Sequence, residues 1–109
     1  MITITFTNKD NTFELMVKGH AGYAEAGKDI VCSAVSILLY TLVDSIREEC
    51  LENDPIVVLN EGDTLIRLKA KNAHRGEISG AFRVILNGLK LVSEYFPENV
   101  FFSSGGLEK

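Results

Sequence analysis

Ile2-Thr3-Ile4-Thr5-Phe6-Thr7-Asn8-Lys9-Asp10-Asn11-Thr12-Phe13-Glu14-Leu15-Met16-Val17-Lys18 is the stretch that sets the class of the fold. From Ile2 to Thr7 apolar and polar side chains alternate, and β-branched residues dominate, as in a strand with one face in a core. Asn8-Lys9-Asp10-Asn11 is turn chemistry, and Phe13 to Lys18 reads as the returning strand of a hairpin. Such a hairpin has one apolar face that must be covered by another layer.

The covering layer is legible downstream. Gly19 to Lys28 holds Gly19, Gly22 and Gly27 and no long aliphatic side chain, so it reads as a loop with backbone freedom. Asp29 is a good N-cap for a helix expected to run to about Glu52, before Asn53-Asp54-Pro55 stops it. Ile56 to Leu59 and Thr64 to Ala70 are β-patterned, and Asn60-Glu61-Gly62-Asp63 joins them as a second hairpin. A second helix is expected from Arg75 to about Tyr95. Its Ile78, Phe82, Ile85, Leu89, Val92 and Phe96 recur at helical spacing, and Pro97 closes it. Val100 to Ser103 reads as a last short strand, and residues 104–109 as a loose tail. The expected fold is α+β, in the order β-β-α-β-β-α(-β), with two helices on a mainly antiparallel sheet. Residues 1–109 are expected to form one domain; strand order is not contained in the pattern.

Composition narrows the class of function. The chain has 109 residues, 46% apolar and 24% charged, as an ordinary globular domain does. No stretch approaches the roughly 20 apolar residues of a membrane span. The run from Ile30 is broken by Ser33, Ser36, Thr41 and Asp44. The first residues lack the basic region of a signal peptide, so a cytoplasmic protein is expected. On one continuous helix Cys32 and Cys50 would lie roughly 27 Å apart, far beyond the roughly 7 Å that a disulfide spans. They read as separate thiols of a reducing compartment. A net charge of −4 argues against nucleic acid as the main partner and favours a basic protein or peptide. Both helices are also more apolar than one buried stripe requires. Ile30, Ala34, Ile37 and Leu38 point away from Val31, Val35, Leu42 and Ile46, and Ala81, Val84, Leu91 and Tyr95 flank the second stripe. The plain reading is generous packing; the sharper one is a homodimer interface.

Chemistry concentrates in Gly19-His20-Ala21-Gly22 and in Gly27-Lys28-Asp29-Ile30-Val31-Cys32-Ser33-Ala34-Val35-Ser36. With Asp29 as N-cap, Cys32 falls in the first helical turn. There the unpaired N–H groups and the helix dipole favour a thiolate, and the same amides offer donors to an oxyanion. Ser36 lies one turn later on the same face. His20, at the end of the second strand, is a candidate base for the Cys32 proton. Asp29 either caps the helix or orients His20. Each residue also has a plainer role: a lone helical cysteine is usually a small buried hydrophobe, and a lone strand-end histidine a polar loop residue. The ligand spacing of structural zinc is absent, so no metal or other cofactor is expected. Cys50 sits among Glu48, Glu49 and Glu52, where acidic neighbours oppose a thiolate.

These two segments, taken with chain length and element order, resemble the bacterial ribosomal-processing cysteine protease family, Prp. His20, Asp29, Cys32 and Ser36 all match at the family's spacing. The resemblance implies a Cys–His peptidase that removes the N-terminal extension of a large-subunit ribosomal protein, number twenty-seven. It also implies Cys32 as nucleophile, His20 as base, Asp29 and Ser36 in support, and a loop from Gly22 to Gly27 that orders over bound peptide. Two readings of other classes stand beside it: a non-catalytic dimeric module for ribosome assembly, with Cys32 buried, and a thiol-based redox sensor.

Overall fold

The first hairpin closes through two left-handed residues. Strand β1 (Ile2–Lys9) and strand β2 (Thr12–Lys18) pair antiparallel, with Lys9 opposite Thr12. Asp10 and Asn11 between them have φ of +52° and +63°. This is the two-residue turn whose twist suits a hairpin, and Asp and Asn tolerate it better than most residues. The computed structural model describes residues 1–25, 29–47 and 55–103. Gly27, Cys50 and the expected tail at 104–109 lie outside the described residues.

Helix α1 spans Ile30–Ser45 and helix α2 spans Arg75–Tyr95. Between them β3 (Ile56–Asn60) and β4 (Asp63–Lys69) form the second hairpin, and β5 (Val100–Ser103) follows α2. The α+β class and the element order stand as expected. The first helix does not run unbroken to Glu52: Ile46 leaves helical geometry at φ −112°, ψ 25°. Ile46 is itself buried, so the chain bends to keep that side chain in the core.

The sheet order is β3-β4-β2-β1-β5. Three pairings are antiparallel, and β5 lies parallel to β1, with Ile2 opposite Val100. One face carries Ile2, Ile4, Phe6, Phe13, Leu15, Val17, Ile66 and Leu68, all buried. The helices cover that face with Val31, Val35, Leu39 and Leu42 from α1 and Ile78, Phe82, Ile85 and Leu89 from α2. Phe82 stacks on Phe13 at 5.2 Å between ring centroids and lies 5.6 Å from Phe6, anchoring α2 to the first hairpin. The pairing of β2 with β4 sets Lys18 opposite Asp63. The end of β2 and the β3–β4 turn are therefore neighbours, and α1 starts beside them.

Candidate active site

At the end of β2 the chain turns at Gly19, whose φ is +95°. A Cβ there would lie 2.3 Å from the Met1 carbonyl oxygen, so only glycine lets the chain pass the start of β1. The segment that follows is pinned by its backbone. The Met1 amino group donates to the His20 carbonyl at 2.5 Å, and Asn99 Nδ2 donates to the Ala21 carbonyl at 2.9 Å. The Gly19 N–H donates to the Gly62 carbonyl at 3.0 Å. Ala21 is buried while His20 is exposed, so a fixed backbone presents the imidazole outward.

The ring then rests on the β3–β4 turn. A Cβ on Gly62, itself at φ +74°, would fall 2.7 Å from His20 Nε2 and 2.9 Å from Cε1. The bare glycine is thus a platform shaped to the imidazole.

On the other side stands the first turn of α1. Asp29 caps it: Oδ1 accepts from the Val31 and Cys32 N–H groups, both at 3.0 Å. Oδ2 accepts from Tyr23 N–H at 3.0 Å and Ala24 N–H at 3.3 Å. Burial pushes the Asp29 carboxyl up, but those four backbone donors outweigh it and hold the group below its ordinary value of 3.8. Of the two roles open to Asp29, the structure shows the cap: among the described residues its hydrogen-bond donors are these N–H groups, and the His20 ring is not one of them. One expectation is corrected here. The Val31 and Cys32 amides are not free to receive an oxyanion, because Asp29 already occupies them. The donor at the sulfur is instead the Ala21 N–H, 3.4 Å from Cys32 Sγ.

These pieces enclose one cleft of about 470 Å³, lined by His20, Gly22, Asp29, Cys32, Ser36 and Glu61 among others. A smaller hollow of about 100 Å³ continues inward past His20, Cys32, Ser36, Glu61 and Gly62. Cys32 is half-buried between them, and Ser36 is exposed at the rim. The four residues singled out in the sequence, with Gly22, therefore meet in one place. Glu61, Gly62 and Asn99 join them unannounced. The turn residues Asn60-Glu61-Gly62-Asp63 were legible as a turn, but nothing in the linear order says which loop they meet. Among the described residues no three His, Cys, Asp or Glu side chains converge as a metal would need. Among the described residues no helix is long and apolar enough to cross a membrane.

A partly buried thiol, a histidine and an amide aimed at the sulfur are the parts of nucleophilic acyl transfer. The family model for cysteine protease Prp matches residues 1–101. The chain is 26% identical over 102 residues to the ribosomal processing cysteine protease Prp of Staphylococcus aureus, covering 92% of this chain and 95% of that protein. It is 31% identical over 94 residues to the protein of the same name from Mycoplasma genitalium, covering 86% and 90%. Among solved structures it is similar to the essential ribosomal processing protease Prp from S. aureus in complex with a covalently linked product peptide. That match has a TM-score of 0.79 and 25% identity, and covers 94% of this chain and 98% of the other.

Proposed function

The chain belongs to the cysteine protease Prp family, and from that premise we propose a cytoplasmic endopeptidase in which Cys32 is the nucleophile and His20 the base. The observation that carries the reading is the shared cleft: His20 and Cys32 line it together, and the amide next to His20 donates onto the Cys32 sulfur. His20 takes the thiol proton as Sγ bonds to the scissile carbonyl carbon, and the carbonyl electrons move onto oxygen. Collapse of that intermediate breaks the C–N bond, and the His20 proton goes to the departing amine. Water, deprotonated by His20, then attacks the thioester and frees the carboxylate product and the thiol. Asp29 holds the turn that carries Cys32. Ser36 stands one helical turn further along the cleft, in support of the site. Gly22 and Ala24 line the same cleft.

The substrate in this reading is the N-terminal extension of large-subunit ribosomal protein twenty-seven. It is supported by the relatives' names, which describe ribosomal processing, and by the peptide bound to the S. aureus structure. The net charge of −4 suits a basic ribosomal substrate better than nucleic acid. The working form is a homodimer built on the exposed apolar residues of the two helices, including Ile37, Tyr40, Val84 and Tyr95.

The test is cleavage of a peptide that carries the ribosomal extension. Wild-type protein cuts it. Cys32→Ser binds it but loses more than about a thousandfold in rate, and His20→Ala loses roughly 10²–10⁴. Undiminished cleavage by Cys32→Ser would falsify the nucleophile. Rapid oxidation of Cys32 without any cleavage favours the sensor, and an inert Cys32 favours the assembly module.

A further inference from the structure

We propose that Glu61 selects the substrate: its carboxylate takes a Lys or Arg side chain of the bound peptide close to the scissile bond. The inference rests on the peptidase reading above and adds a residue and a charge preference to it. Glu61 lines both the cleft and the hollow beneath it, in the company of His20, Cys32 and Ser36. It is exposed, and among the described residues its carboxylate has no hydrogen-bond or ion-pair partner.

The other carboxylates at the site are already engaged. Asp29 accepts four backbone N–H groups, and Asp63 pairs with Lys18. No Lys or Arg among the described residues lines either space. Among the described residues that line the two spaces, the uncommitted charge is therefore a single negative one, in a concave wall where its field is focused.

Glu61 is also held in place. It sits in the two-residue turn between Asn60 and Asp63, which pair with each other. The next residue, Gly62, accepts the Gly19 N–H through its carbonyl. A charge on a fixed turn discriminates by attracting the cationic peptide and repelling an acidic one.

The measurement is kcat/KM over peptides in which each residue within three of the scissile bond is, in turn, Lys, Gln or Glu. At one position wild type prefers Lys to Gln by roughly two- to fivefold at low salt, and Glu is worst; the preference shrinks as salt rises. In E61Q the Lys-to-Gln ratio at that position falls to one, and in E61K it inverts. A ratio unchanged in E61Q overturns the inference, and so does an equal loss of kcat on all peptides, which would assign Glu61 to His20 instead. Binding of the same peptides to Cys32→Ser, with and without E61Q, is read by fluorescence anisotropy. If wild type cleaves none of the peptides, the peptidase reading fails, while the binding ratio still decides Glu61.

Discussion

Asp29 spends one oxygen on the first turn of α1 and the other on the loop at Tyr23 and Ala24. The same carboxylate thus fixes the helix that carries Cys32 and the chain that faces it across the cleft. Because its carboxyl is held below its ordinary 3.8 when folded, the charged form is favoured by folding. Its contribution is complete above that value and drains away as pH falls through the lower folded value. Asp29→Asn separates the two functions. Asparagine caps as well as aspartate does, through its oxygen, but its NH2 cannot accept from Tyr23 and Ala24. The variant is expected to keep the helix, to exchange the Ala24 amide faster, and to lose part of the acid sensitivity of unfolding between about pH 5 and pH 3. Urea midpoints for both proteins at those two pH values check this; parallel curves would remove Asp29 from the pH response. Asp29 as a cap was legible from its place before an apolar helical run. The clamp on Tyr23 and Ala24 was not, because loop closure has no period to read.

The β3–β4 turn serves the site more directly than its sequence announces. The turn itself is local chemistry and is visible in Asn60-Glu61-Gly62-Asp63, just as α2 is visible in its spaced apolar residues. What the turn touches is set by β2–β4 pairing, and the Lys18–Asp63 bridge spans 45 residues of sequence. Pairing partners of that range are chosen by the assembled core, so neither strand order nor the meeting of Gly62 with His20 was readable. That meeting makes Gly62→Ala a sharp probe. The new methyl would force the imidazole away from its present place, and φ +74° would cost an L-residue about 1–2 kcal/mol. A catalytic group displaced by about 1 Å commonly loses on the order of a hundredfold in rate. The expected result is a drop in kcat of that size, with peptide affinity changed little and the His20 ring resonances shifted in NMR spectra. A full kcat with shifted resonances would show that His20 works from more than one position.

On the scale of the molecule, the two helices bury one stripe each and leave a second one in water. On α1, Ile30, Ile37 and Tyr40 are 58%, 62% and 53% exposed. On α2, Val84, Leu91 and Tyr95 fall seven and four residues apart, along one line of the helix, and are likewise exposed. The stripes belong to two helices that pack against each other, where a Cβ on Gly88 would lie 3.1 Å from the Leu38 side chain. They read as one apolar surface rather than as scattered residues, and surfaces of this kind mark interfaces. The sheet cannot cover them, because it lies on the opposite side of the helices. A second copy can, since a two-fold axis over the helix crossing sets the same stripes against each other. A stable interface needs about 800 Å² from each partner, which two helices of 16 and 21 residues are long enough to supply. Sedimentation equilibrium at micromolar concentration is therefore expected to give a dimer. Ile37→Asp with Val84→Asp is expected to give a folded monomer, because neither side chain belongs to the core and the charges oppose only the partner. Wild-type protein that stays monomeric at that concentration sinks the dimer, and a double variant that stays dimeric moves the interface off these helices.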